Sequence, residues 1–306
     1  MKIIEWNCQG AFRTKNEKIL ELKPDLLIIL ECENEEKLNF GKDTPQPNDF
    51  YWYSKGKKGI GIFSYSDYKI KPLPLFNSNF NYIIPLLVYN QSNSFLIFAI
   101  WAMDDKENPS KRYIGQIWLA INFYKEIFND QVLLIGDFNS NQRWDEKSRF
   151  SNHTAMVNLL SSYHIESLYH KQENLKHGAE TDFTFFMHRN LEKKYHIDYI
   201  FSSLNIIKNG FKLTLGNSKD WITLSDHIPL ILEMNPSPSE NKFNYSLKEF
   251  ILTKFNLLND IIQIKYKTEI AEIIASIEDH LSKESIDNIY RKYELLKRIE
   301  ELTLKL

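Results

Sequence analysis

Cysteine is nearly absent. The 306 residues contain only Cys8 and Cys32. A disulfide framework or a zinc cluster needs more cysteines, or a suitable His/Cys spacing, and neither is present. Both thiols fall at or near the ends of apolar runs, where free cysteine commonly serves as a small buried hydrophobe. An excess of charge of one sign is missing too. Lys and Arg number 38 against 40 Asp and Glu, a formal net charge of −2. Dedicated duplex binders usually carry a basic excess, because phosphate neutralisation supplies most of their affinity. Tight non-specific DNA binding is therefore disfavoured at the level of the whole chain, although a local basic groove remains open. No apolar run reaches the roughly 20 residues of a membrane span. Met1–Asn7 has no signal-peptide apolar region. The expectation is a soluble, cytoplasmic protein with no membrane span.

Proline and glycine disappear after Pro238, which divides the chain. Up to about residue 234, short runs rich in Ile, Val and Phe alternate with loops: 2–6, 25–30, 60–64, 95–101, 132–135, 183–186, 196–201 and 228–232 read as strands. Helices are expected over 16–22, 113–128 and 153–163. In the second of these, Ile117, Ala120, Ile121, Tyr124 and Phe128 form a stripe at helical spacing. Many strands with few helices suggest an α/β protein of two packed sheets flanked by helices. Residues 235–240, Asn-Pro-Ser-Pro-Ser-Glu, read as a linker, since two alternate prolines break both helix and ladder. In 241–306, Ile251, Phe255, Leu258, Ile262, Tyr266, Ile270, Ile273, Ile277 and Leu281 recur at steps of three and four. A second set, Ile286 to Ile299, follows a Ser-Lys-Glu-Ser break. A C-terminal helical hairpin is expected. It could pack on the preceding domain, or serve as a homodimer or protein-partner element.

Five short segments carry the chemistry. Val132–Ile135 runs into Gly136, Asp137, Phe138 and Asn139; a period of two puts Asp137 and Asn139 on one side of a rigid strand. A carboxylate beside a carboxamide suits a hydrolytic site, although such dipeptides also mark turns. Ser225-Asp226-His227-Ile228-Pro229 sets a carboxylate next to an imidazole before an apolar run, a common surface-loop pattern when taken alone. In Ile197-Asp198-Tyr199, an Asp within an apolar strand is costly unless it is paired; a histidine is the natural partner, and an edge strand facing water is the bland reading. Two further strands end on Asn7 and Glu31. Oxygen donors at a strand mouth suit Mg²⁺, and each alone is also an ordinary strand-end polar residue.

In this order, strand–Asn, strand–Glu, Gly-Asp-x-Asn, Ile-Asp-Tyr and Ser-Asp-His-x-Pro resemble the endonuclease/exonuclease/phosphatase superfamily. That group includes abasic-site endonucleases, pancreatic DNase, inositol polyphosphate phosphatases, neutral sphingomyelinases and deadenylases. The resemblance spans residues 1–234 and implies a four-layer α/β sandwich, two mixed sheets face to face with helices outside. Trp101-Ala102-Met103, Arg143-Trp144-Asp145, Asn152-His153, Ser167–His170 and Tyr195–Tyr199 are similar to a bacterial branch without a settled substrate. Where Trp101 stands, many relatives place His or Tyr; where His196 stands, they often carry Arg. Both departures bear on substrate class.

The resemblance implies Glu31 as principal ligand of Mg²⁺ or Mn²⁺, with Asn7 and Asp226. It implies Asp137 to orient or deprotonate the attacking water and Asn139 to hold a non-bridging oxygen. His227, oriented by Asp198, would stabilise charge on the phosphorane. Trp101, Arg143, Trp144, His153 and His196 are candidate substrate contacts. Each has a bland reading in packing, capping or solvation, as do Trp52, His170 and the Lys55, Lys57, Lys58 loop. The expected activity is phosphodiester hydrolysis, with nucleic acid as the substrate. The alternatives are a phosphatase or phosphodiesterase of a small phosphorylated molecule, and a non-catalytic scaffold.

Overall fold

The computed structural model describes residues 1–128, 130–146 and 151–236, together with Lys297. The helical hairpin expected over 241–306 lies outside the described residues. The strands are β1 (Lys2–Asn7), β2 (Leu26–Cys32), β3 (Asp49–Tyr53), β4 (Gly59–Ser64), β5 (Lys69–Pro72), β6 (Ile83–Tyr89), β7 (Ser94–Trp101), β8 (Val132–Asp137), β9 (Ile165–Ser167), β10 (Phe185–Phe186), β11 (Lys194–Tyr195), β12 (Asp198–Ser203), β13 (Phe211–Leu215) and β14 (Leu230–Met234). The helices are α1 (Asn16–Leu20), α2 (Glu35–Leu38), α3 (Ile114–Tyr124), α4 (His153–Ser162), α5 (Leu168–Glu173), α6 (Leu204–Lys208) and α7 (Ser218–Trp221). Among the described residues, no helix is long and apolar enough to cross a membrane.

Two six-stranded mixed sheets form the body, in the orders β13-β14-β1-β2-β4-β3 and β5-β6-β7-β8-β12-β9. The β1–β2 and β7–β8 pairs are parallel, and the other pairs in these sheets are antiparallel. One core cluster draws on both sheets: Ile3, Ile28 and Leu30 pack with Ile97, Leu133, Ile135 and Ile200. The alternate residues face outward. Phe98, Leu134 and Phe201 meet the stripe of α3 and Met156 of α4, while Ile4, Trp6 and Leu27 meet Ile19 of α1 and Trp221 of α7. This is the four-layer sandwich that the motif order implied.

The alternation fixes where the polar residues go. Ile3 faces between the sheets, so Glu5 and Asn7 do too. Leu133 and Ile135 do, so Asp137 does; Ile200 does, so Asp198 does. At Gly136 the backbone of β8 comes close to β7. A Cβ there would stand 1.8 Å from the Ile100 carbonyl oxygen, and φ is +145°. Only glycine fits such an approach. Gly136→Ala is expected to destabilise the fold by at least about 3 kcal/mol; a urea titration showing a midpoint within error of wild type would contradict the close-approach argument.

Candidate active site

The Asp137 and Asp198 carboxylates extend from directly opposed residues of the antiparallel β8–β12 pair. Both are buried, and two like charges so placed are unstable without a cation. His227 supplies it, arriving from the loop before β14. Its Nδ1 lies 2.9 and 3.1 Å from the two Asp198 oxygens, and its Nε2 lies 4.0 Å from Asp137 Oδ2. The loop is tied down from several sides. Trp6 Nε1 donates to the His227 carbonyl at 3.0 Å, the His227 N–H donates to Ser225 Oγ at 3.1 Å, and Ser225 Oγ donates to the Asn7 carbonyl at 2.7 Å. The Phe185 ring packs 4.6 Å from the imidazole.

Burial alone would lower the pKa of His227. The Asp198 charge and hydrogen bond, with Asp137 and Asp226, outweigh it and raise the group to about 9, an imidazolium at neutral pH. Asp137 moves the other way from its usual range. Burial, then repulsion from Asp198, lifts it to about 7, although His227, the Asn139 N–H and Asn7 pull it back. A carboxylate tuned toward neutrality beside a held imidazolium can move a proton and stabilise developing anionic charge.

Asn139 has φ +45°, a left-handed conformation that Asn tolerates. Its backbone N–H donates to Asp137 Oδ1 at 2.8 Å. Its side-chain Nδ2 donates to Asp137 Oδ2 at 3.0 Å and to the Ala102 carbonyl at 2.9 Å. Both amide protons are thus engaged, and the side chain orients Asp137 where the motif order had implied a hand on a phosphoryl oxygen. Asn7 Nδ2 also donates to Asp137 Oδ2, at 3.2 Å.

Glu31 sits at the bulge in β2 where its register against β4 shifts between Leu30 and Cys32, with φ +56°. The extra residue lets Cys32 return to the outer core and leaves Glu31 at the rim, where Lys58 Nζ meets its Oε2 at 2.6 Å. Asp226 accepts from Gln9 Nε2 at 2.8 Å, and Gln9 Oε1 accepts from Arg189 at 2.6 and 3.2 Å. Burial raises the Asp226 carboxyl; His227 opposes this, and the charge of Glu31 adds to it. Asn7, Glu31 and Asp226, which the motif order implied as ligands, offer only oxygen donors of the kind Mg²⁺ and Mn²⁺ prefer, and the Asn7 amide oxygen accepts from the Gln9 N–H at 3.1 Å. Asp137, Asp198 and His227 also offer ligand atoms that lie within 4.8 Å of one another.

The expected substrate contacts divide. Trp144 is 48% exposed and lies 5.2 Å from Tyr195, which lies 6.2 Å from Phe185, which packs on His227. A row of rings thus runs from the acid–base pair out to solvent. Arg143 is exposed, and its Nε donates to the Gly178 carbonyl at 2.6 Å. Trp101 is 9% exposed, pairs in register with Asp137 and packs 4.9 Å from Tyr82. His153 and His196 were expected to line the substrate site. At 0% and 2% exposure, they instead sit in a histidine cluster behind it.

Sequence reasoning did not single out Gln9 and Arg189, which join the site only through the tertiary fold. It also passed over Glu5. That side chain is fully buried two residues before Asn7, and neither of its oxygens has a hydrogen-bond partner among the described residues. Burial, then Asp198 and Asp137, push its carboxyl well above the usual range. A Glu among Ile3, Ile4 and Trp6 was the available signal.

The profile of the Endonuclease/Exonuclease/phosphatase family matches residues 4–227. The structure resembles the Xenopus laevis APE2 catalytic domain, with a TM-score of 0.56 over 79% of this chain and 94% of that one at 16% identity. It resembles the 3'-5' exonuclease NExo from Neisseria meningitidis at 0.55, over 77% of this chain and 100% of that one, again at 16% identity. A humanized D. rerio TDP2 gives 0.51, over 77% and 98%, also at 16% identity. At such identities the likeness bears on the fold. No curated protein matches the sequence.

Proposed function

Because the chain belongs to the endonuclease/exonuclease/phosphatase family, we propose that it is a nuclease, hydrolysing phosphodiester bonds of DNA or RNA with a bound Mg²⁺ or Mn²⁺. The observation that carries the hydrolytic reading is the Asp137–His227–Asp198 arrangement: a near-neutral carboxylate and a carboxylate-held imidazolium at one cleft. In this reading Asp137, oriented by Asn139 and Asn7, takes the proton of the attacking water. His227 stands opposite and stabilises the charge that builds on the phosphorane oxygens. Asp198 holds the ring through Nδ1, so that Nε2 faces the cleft. Glu31, Asn7 and Asp226 would hold the ion. When bound, it supplies charge neutralisation at the phosphoryl and leaving oxygens. Among the described residues no Ser or Cys side chain of this site is paired with a base, which fits direct attack by water.

Nucleic acid as the substrate is supported by the aromatic row from His227 to exposed Trp144, whose outermost ring offers a π-face on which a base can stack. The Neisseria protein is also described as a 3' phosphatase bound to product DNA hairpin. Trp144→Ala is expected to raise KM for single-stranded oligonucleotides by an amount equivalent to about 1–3 kcal/mol, with kcat little changed. Hydrolysis of a small aryl phosphodiester, which lacks bases, should be unaffected; an equal loss on both substrates would remove Trp144 from substrate binding. The catalytic unit is proposed to end near residue 234, with 235–240 as linker and 241–306 as an appended element. A chain of residues 1–236 is then expected to retain the activity of the full protein, measured side by side.

A further inference from the structure

Behind the hydrolytic cleft lies a second group of titratable side chains that the reaction above does not use. It comprises His153 at the start of α4, His170 on α5, His177 and Glu180 in the loop after α5, and His196 just before β12. Ligand atoms of His170, His177 and Glu180 all lie within 4.8 Å of one another. His170 Nε2 is 3.0 Å from Glu180 Oε1. The His170 and His177 rings stack at 3.6 Å, 21° from parallel, and would turn apart to bring both in-plane lone pairs onto one ion. We propose that His170, His177 and Glu180 bind a first-row transition-metal dication, Zn²⁺ foremost, at a site separate from the hydrolytic cleft.

The hydrogen bonds around the group set its tautomers for this task. Ser167 Oγ lies 2.8 Å from His170 Nδ1, so a proton held there leaves Nε2 as the donor facing Glu180. His177 Nδ1 lies 3.0 Å from His153 Nε2, and His153 Nδ1 lies 3.2 Å from Ser140 Oγ. Reading protons outward along this chain, His177 donates to His153 and His153 donates to Ser140. His177 Nε2 is then left with its lone pair. Metal-bound histidines show this pattern: the second nitrogen gives its proton to an outer partner that fixes the ring. His196 repeats it, with Nδ1 2.9 Å from the Asp182 carbonyl; its Nε2 is buried and has no partner among the described residues. Its ring centre is 6.0 Å from that of His170. That nitrogen lies outside the three-residue group, and the ion is assigned to His170, His177 and Glu180 alone.

The charge states agree. Burial, with the neighbouring histidines, keeps His153 low at about 4 and His177 low at about 2, so both rings are neutral. Glu180 is opposed by burial but held ionised by His170 and the Gly178 N–H, the latter at 2.9 Å. Binding shifts the His170 ring proton from Nε2, where Glu180 accepts it, to Nδ1, where Ser167 Oγ accepts it, and so frees Nε2 for the metal. Imidazole donors with one carboxylate select Zn²⁺ and its neighbours over Mg²⁺. His177 is only partly buried, which gives an ion a way in. The ion would cross-link α5 and its loop. Through His177, His153 and Ser140 it would also brace the segment that carries Asn139.

The test is metal content. Full-length protein, grown with zinc and desalted into metal-free buffer, is analysed by elemental mass spectrometry. A Co²⁺-loaded sample is read for the visible d–d bands of a low-symmetry N/O site. Wild type and Glu31→Gln are expected to hold about one transition ion per chain, while Glu180→Gln and His170→Gln lose it. Glu180→Gln keeps size and hydrogen bonding, which guards against a folding artefact. Wild-type protein with no retained ion and no Co²⁺ bands would overturn the proposal. So would an ion lost on Glu31→Gln, which would belong to the hydrolytic cleft, or one that survives both substitutions in the cluster.

Discussion

Replacing His227 by Ala is expected to lower kcat for phosphodiester hydrolysis by about 10²–10³-fold or more, the scale seen when a preorganised charge donor is removed. The expectation rests on position and charge together. The ring is buried, bonded through Nδ1 to both oxygens of Asp198, and presents Nε2 toward Asp137. Asp198→Asn keeps the shape but withdraws the charge that holds the imidazolium, so it should cost a comparable factor. The double variant should lose little beyond either single one, because residues that act as one unit are not additive. KM should move less than kcat in all three. Removing the cation also leaves Asp137 and Asp198 opposed and buried, at a cost of order 3–5 kcal/mol; assays therefore belong well below each variant's unfolding midpoint. Fully additive losses in the double variant would break the pairing.

The sequence carried much of this arrangement because the motifs sit on strands whose period of two is easily read. Leu133, Ile135 and Asp137, or Ile200 and Asp198, share a face by arithmetic, and an Asp embedded in β12 called for a partner. The strands expected near 2–6, 95–101 and 132–135 are present as β1, β7 and β8. The strands the reading passed over have physical reasons of their own. β3 is bounded by no glycine, and its aromatic run Phe50–Tyr53 is only half-buried. β6 carries Pro85, which argues against a strand unless the missing N–H falls where no partner needs it. The histidine cluster was invisible as a cluster. His153, His170, His177 and His196 come from four separate segments, and only the packing of α4, α5 and the loop after it against β12 brings them together. Placing His153 and His196 at the substrate failed for the same reason: sequence gives a side chain's chemistry before it gives its depth.

Chelation is expected to have an effect at least as large. With EDTA present, hydrolysis should fall to background, and Mg²⁺ or Mn²⁺ in excess should restore it. The proposed donors are Glu31 at the β2 bulge, the Asn7 amide oxygen and Asp226. Glu31→Gln should raise the metal concentration needed for half-maximal activity by 10-fold or more, on the order of 1.4 kcal/mol. The melting temperature should change little, because the side chain lies at the rim and its partner among the described residues, Lys58, is itself exposed. Lys58 →Ala should do the reverse and ease metal binding by freeing the carboxylate. Unchanged metal dependence in Glu31→Gln would move the ion elsewhere in the cleft.

Metal-dependent hydrolysis of nucleic acid phosphodiesters by the Asp137–His227 pair, as proposed, is open to a direct assay. Full-length protein is incubated with end-labelled single-stranded DNA, duplex DNA and RNA, alongside small phosphoesters, in Mg²⁺, Mn²⁺ or EDTA, with Asp137→Asn as the control. Cleavage of at least one nucleic acid is expected in the presence of metal, with no cleavage in EDTA and a loss of about 10²-fold or more in Asp137→Asn. Cleavage that persists in chelator or in Asp137→Asn, or turnover confined to the small phosphoesters, would contradict the proposal.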